Sequence, residues 1–188
     1  IDGKVGSSPA HPVAFHKWQQ GWITPEKKEP TGPMGRLTPY ARTGSTFQWF
    51  NNSNGVEVSR FSGEGEYFLA ENRQRVGFDS GLPGEGVIIT HIDETRPNND
   101  FEDHPMVDIE EADGLNDLDV NRYADAGDPF PGETNQQKSN TDTSPNARFY
   151  NITPSGLNIT EFSTQGNDVI LNPVPDLTTS SETLQLNI

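Results

Sequence analysis

Thirteen of the chain's 28 acidic residues fall between Asp93 and Asp128, where Arg96 and Arg122 alone among Lys and Arg oppose them. Repulsion of that density is relieved either by plain solvation or by a hard divalent cation, which takes roughly six to eight oxygen ligands. Asp117, Asp119, Asn121, the Tyr123 carbonyl, Asp125 and Asp128 follow the 1, 3, 5, 7, 9, 12 spacing of a calcium loop. The match is incomplete. Arg122 stands where the sharp turn of an EF-hand needs glycine, and Asp128 where a bidentate glutamate belongs, so the spacing predicts no true EF-hand. The candidate calcium ligands are Asp93, Glu94, Asp108, Asp113, Asp117, Asp119, Asp125 and Asp128. The competing reading is an acidic loop that water alone solvates.

The four histidines do not form the H-E-x-x-H pattern, in which two imidazoles one helical turn apart share a zinc and the glutamate activates water. His11 and His16 are the nearest pair, but five helical positions rotate about 140°, so on a helix they diverge and read as surface histidines. His91 and Asp93 stand two apart on an expected strand and so share a face, with Glu94 next to them. Such a trio suits a cation, or a histidine hydrogen-bonded within its sheet. The chain has no cysteine, which excludes disulfides, thiolate zinc sites and cysteine catalysis. Glu66, Glu71 and Glu85 are the carboxylates a hydrolase would draw on, yet no acid and base spacing pairs them. Trp18, Trp22 and Trp49 suit either a sugar-stacking platform or packing onto a sheet. Sequons at Asn51, Asn151 and Asn158 carry little weight in a chain so rich in Asn, Ser and Thr.

These side chains need elements to position them. At 188 residues, with 30% hydrophobic residues, 18 glycines and 15 prolines, the chain is turn-rich and built from short elements. Ser8-Pro9 can start a helix and Gly21 can end it, which predicts a helix over Pro9 to Gln20. Thr24 to Gly35 is dense in proline and glycine and reads as a loop. Short apolar or alternating runs predict eight strands: Leu37–Tyr40, Phe47–Phe50, Val56–Phe61, Glu66–Glu71, Gly86–Asp93, Met106–Ile109, Gly156–Phe162 and Asp168–Leu171. Between the sixth and seventh, from about Glu110 to Asn151, the chain is polar and aperiodic.

The expected fold is therefore mainly β, an antiparallel sheet or β-sandwich with one short N-terminal helix and a long irregular acidic loop region. Its expected divisions are 1–23 for the helix, 24–172 for the β-rich domain, and 173–188 for a linker or the start of a further module. A net charge of −15 argues against nucleic acid and anionic membranes as partners and favours cations. The longest aliphatic run, Val87-Ile88-Ile89, is too short for membrane insertion. The chain opens Ile1-Asp2-Gly3 without methionine, as an excised or processed piece would.

Several runs in order carry a resemblance: Pro12-Val13-Ala14-Phe15-His16-Lys17-Trp18 with Gly21-Trp22-Ile23-Thr24-Pro25; Gly65-Glu66-Tyr67-Phe68-Leu69-Ala70-Glu71-Asn72-Arg73-Gln74; Gly77-Phe78-Asp79-Ser80-Gly81-Leu82-Pro83-Gly84-Glu85-Gly86; and Ile89-Thr90-His91-Ile92-Asp93-Glu94. Glu111-Ala112-Asp113-Gly114, Gly127-Asp128-Pro129-Phe130-Pro131, Ser144-Pro145-Asn146 and Gly156-Leu157-Asn158-Ile159 continue the series. Together, over about residues 9 to 171, they resemble the immune-inhibitor-A-type secreted zinc metallopeptidases. The resemblance implies extracellular protein hydrolysis by a parent enzyme, with zinc for water activation and calcium for stability. The zinc-binding helix of such proteins lies upstream of the matching region, so the resemblance makes this chain the C-terminal part, inactive alone and binding no zinc itself. Its helix would be the last of the catalytic domain, and its partners the catalytic half of the parent and the parent's protein substrate. The alternative is an extracellular or cell-surface binding module, for carbohydrate among other ligands, without peptidase activity. A free-standing hydrolase built on Glu66, Glu71 or Glu85 is the third reading.

Overall fold

Two neighbouring strands carry most of the chain's apolar alternation and form the centre of the molecule. The computed structural model describes residues 10–27, 34–37, 46–50, 65–101, 103–120 and 123–172; for 27 and 46–50 only the backbone is described. The first helix, α1, spans Ala14–Gln19, and the strands are β1 Glu26–Lys27, β2 Gly35–Leu37, β3 Thr46–Phe50, β4 Glu66–Arg73, β5 Gly86–Asp93, β6 Val107–Glu110, β7 Phe162–Gln165 and β8 Asp168–Leu171. β4 and β5 pair antiparallel along their whole length, from Glu66 opposite Asp93 to Arg73 opposite Gly86.

Because successive side chains point to opposite faces, the β4–β5 ribbon has two distinct surfaces. Phe68, Ala70, Val87 and Ile89 face a core shared with Leu37, Val169 and Leu171 of the second sheet and with Phe130, Phe149 and Ile159 from the connections. Tyr67, Leu69 and Ile92 face Ala14 and Phe15 of α1. Both surfaces are covered, so β5 is buried at every position. The larger sheet runs β1-β3-β4-β5-β6 and the smaller β2-β8-β7. All pairings are antiparallel except that of β1 with β3. Among the described residues the fold is mainly β, two sheets about one core with a single short α-helix on the outer face.

The helix is shorter than the sequence predicts. Proline at 12 disfavours helical backbone at His11, so the helix cannot extend back through that residue. Its start is held from a distance: the Ala14 amide donates to Glu71 Oε1 at 2.8 Å. The other end agrees with the expectation, since Gly21 follows with φ 75°. Lys17 projects from α1 into the sheet and is fully buried against the Glu71 carboxylate. Arg73 lies beside it, forked onto Asp79 by Nε at 3.0 Å and Nη2 at 2.7 Å, with a further bond from Nη2 to the His11 carbonyl.

The strands at 86–93 and 168–171 lie where the alternation places them, and β4 runs two residues beyond its expected end. Within the expected loop Thr24 to Gly35, two residues form β1, and β2 begins at Gly35. The strand expected at Gly156–Phe162 is displaced to Phe162–Gln165, where a turn through Gly166 (φ 61°) returns the chain into β8. Leu157 and Ile159 are buried as their alternation requires, but Ile159 makes a lone bridge with Ser139 in place of a ladder. The described residues of 111–151 are irregular, as expected for the acidic loop region, and the irregular stretch continues to 161. The expected strand Val56–Phe61 and the tail 173–188 lie outside the described residues.

Candidate metal centre

After β6 the chain turns at Glu111-Ala112-Asp113-Gly114, where Gly114 has φ 69° and its amide returns to the Glu111 carbonyl at 2.9 Å. A second segment meets this turn, because the Ala112 amide donates to the Asp128 carbonyl at 2.9 Å and Phe130 bridges Val87 two residues later. That crossing brings three carboxylates together. Oxygens of Glu111, Asp113 and Asp128 lie within 4.8 Å of one another, the one group of three or more metal-ligating side chains so placed among the described residues. Glu111 and Asp128 are each 2% exposed.

Backbone amides hold the carboxylates in place. Glu111 accepts from the Asp117 and Leu118 amides, each at 2.7 Å, and Asp113 from Leu115 at 3.0 Å. Asp128 accepts from Asp125 at 2.9 Å, while Asp125 accepts from Gly127 at 2.6 Å. A Cβ at Gly127 would come within 2.3 Å of Asp113 Oδ2, so glycine lets the two segments close. Burial first, then the neighbouring Glu111, Asp125 and Asp113 charges, push the Asp128 carboxyl up to about 6 against the Asp125 amide. Burial likewise raises Glu111, with Asp113 and Asp119 adding to it against the Leu118 and Asp117 amides. A cation shared among three crowded carboxylates, two of them buried, would relieve their mutual repulsion. An all-oxygen donor set suits a hard ion of the calcium class, whose remaining ligands would be carbonyls and water, and lacks the nitrogen or sulfur that zinc prefers.

Of the ligands expected from sequence, Asp113 and Asp128 belong to this centre and Asp125 lies beside it. Asp117 and Asp119 sit on the turn that wraps it, Asp117 contributing its amide and Asp119 its charge. Residues 121 and 122 of the calcium-loop spacing lie outside the described residues. Asp93, Glu94 and Asp108 are elsewhere. Asp93 receives the Thr95 amide and hydroxyl at 2.9 and 2.6 Å and His104 Nε2 at 2.6 Å; these hold its pKa down against burial. Glu94 accepts the Tyr67 hydroxyl. Asp108 faces the second sheet's side beside His91, pushed up to about 7 by burial and by the Glu110 and Asp119 charges. Glu111 is the member of the cluster that spacing missed; the Glu-Ala-Asp-Gly run was its signal, since it and Gly127-Asp128 supply all three carboxylates.

The other chemical candidates have structural partners. His91 lies between Glu66 and Glu110, which makes it the sheet histidine that was one of its two readings. Glu66 accepts from His91 and from the Tyr150 amide, Glu71 is locked to Lys17, and Glu85 accepts the Arg75 amide at 3.3 Å. His11 precedes the helix, and with His16 it lines a groove of about 600 Å³ beside Met106, Val107 and Ile109. Trp18 packs edge-on against Tyr67 at 5.8 Å, Trp22 is exposed, and the Trp49 side chain lies outside what is described. No described helix is long and apolar enough to cross a membrane.

Fold and site together define a two-sheet β protein with a carboxylate-lined crossing of two loop segments. No protein-family profile, curated protein or solved structure matches the chain.

Proposed function

We propose that this chain is the non-catalytic, C-terminal β-rich part of a secreted zinc metallopeptidase, stabilised by calcium at Glu111, Asp113 and Asp128. The observation that carries the proposal is the convergence of those three carboxylates, because the two runs that supply them also belong to the ordered series resembling such peptidases. The strongest run of that series, Glu66–Arg73, coincides with β4, where every residue after Glu66 is buried, which supports a role for it in the fold of the chain. In this reading zinc and water activation belong to the parent's catalytic half, which the chain buttresses outside the cell while the parent hydrolyses protein.

Thermal melting in EDTA and then in calcium tests the reading. An ion bound only by the folded state raises the midpoint by mass action, by about 5–10 °C at a hundredfold excess over Kd for a domain of this size. Magnesium at equal concentration is expected to do less, since it demands a tighter octahedral shell and dehydrates reluctantly. A midpoint indifferent to both EDTA and calcium removes the calcium site, and casein turnover by the chain alone removes the non-catalytic role.

A further inference from the structure

His91 is buried, takes no part in the carboxylate crossing, and meets a carboxylate at each ring nitrogen. Nε2 lies 2.8 Å from Glu66 Oε1 and Nδ1 3.4 Å from Glu110 Oε1, the first being the stronger contact. A neutral imidazole has one donor and one acceptor, whereas an ionised carboxylate only accepts, so this geometry is satisfied in full by imidazolium alone. Both ring faces are covered as well: Phe68 stacks at 4.2 Å and Tyr150 at 4.5 Å, placing a cation between two π faces. His104 covers the outer face of Tyr150 at 3.7 Å and is itself tied to Asp93.

This column of four rings fastens an irregular segment to the sheet. The Tyr150 amide donates to the same Glu66 oxygen at 2.6 Å, and its hydroxyl donates to Asp108 at 3.3 Å. Asn146, Arg148 and Tyr150 then wall a cavity of about 370 Å³ whose opposite side includes Asp108, Glu110 and Asp119. We propose that His91 is a proton-operated latch: as imidazolium it clamps the 146–153 segment onto the sheet, and loss of its proton in alkaline solution frees that segment and opens the cavity.

The groups facing His91 are Glu66 from β4, Asp108 and Glu110 from β6, and Tyr150 from the irregular segment. Asp93 and His104 form the next layer, Asp119 stands beyond Asp108, and Arg148 on the rim is tied to the Thr141 and Ile152 carbonyls and lies 3.8 Å from Asp142. Burial alone would lower the His91 pKa, but Glu110 and Glu66 override it and push it up to about 9. A folded value above the unfolded one, about 6.5, means the clamp is complete below that pH and is lost as pH rises through 9. Tyr150 does not provide a competing trigger, since burial and then the Asp108 and Glu110 charges keep its hydroxyl protonated well beyond its ordinary range.

The test follows the His91 imidazole resonance and amide hydrogen exchange in the full chain from pH 6 to 10.5. His91 is expected to titrate near 9, and Tyr150 exchange, corrected for its intrinsic rate, to accelerate about tenfold per pH unit above that. Ala70 in β4 should keep its protection. A His91 midpoint at or below 6.5, flat Tyr150 protection, or equal loss at Ala70 would each overturn the latch. His91→Gln, which carries no titrating proton, is expected to exchange faster at Tyr150 at pH 7.5 with no further step; a step at the wild-type pH in that variant assigns the switch elsewhere.

Discussion

Glu71 holds three groups with one buried carboxylate: the Ala14 amide that begins the helix, the Lys17 ammonium, and Arg73 at 3.4 Å. Burial would discharge Lys17, and the Glu71 charge and hydrogen bond oppose that, leaving the lysine pKa lowered. The two ends of this pair are not equivalent. Glu71→Gln strands Lys17 in the core without its counter-charge, and breaking a buried pair from one side costs about 3–5 kcal/mol. Lys17→Met keeps the packed stem and leaves Glu71 its bonds to Ala14 and Arg73, so its cost should stay near 1 kcal/mol. Urea unfolding of both variants measures the difference, and equal losses would show that the ion pair, rather than the stranded charge, sets the cost.

At the scale of elements, the crossing of two turns is what converts scattered acids into a centre, and Gly127 is where it can be tested. A methyl there meets Asp113 Oδ2 at 2.3 Å and Asp125 Oδ1 at 3.0 Å, both ends of side chains that can swing aside. Gly127→Ala is therefore expected to shift the calcium-free midpoint by no more than a few degrees while reducing the calcium-induced rise by at least half, read by melting with and without the ion. An undiminished rise would place the ion away from Asp113. The same crossing explains what the sequence could convey. The β5 and β8 positions were legible because apolar alternation is a local signal that burial against the core enforces. Glu111 was not, because its partnership with Asp128 depends on an amide-to-carbonyl bond across sixteen positions. The helix start was hidden for the same reason, its cap coming from a strand 57 residues away. Leu157 and Ile159 alternate as a strand does, but a bridge to Ser139 replaces the neighbour strand that would make them one.

Across the whole molecule, a charge of −15 makes any cation mildly favourable, so a specific site has to be separated from general screening. Proton linkage separates them. Asp128, pushed up to about 6, and Glu111, also raised, hold a proton more tightly in the folded chain than in the unfolded one. Their contribution to stability is complete below the unfolded carboxyl range and is lost as pH rises through about 6 for Asp128. A bound divalent ion reverses that loss, because it needs the ionised oxygens and displaces their protons. The calcium-induced rise in melting midpoint is therefore expected to be small at pH 5 and to reach its full size by pH 7.5. Diffuse screening of exposed carboxylates would instead level off near their ordinary range, between about pH 4 and 5, and would appear equally with sodium at matched ionic strength. Melting at pH 5, 6 and 7.5 in calcium, magnesium and matched sodium decides between the two. A rise that is constant over those three pH values, or that sodium reproduces, removes Glu111, Asp113 and Asp128 as a cation centre and leaves their repulsion to be borne by the fold alone.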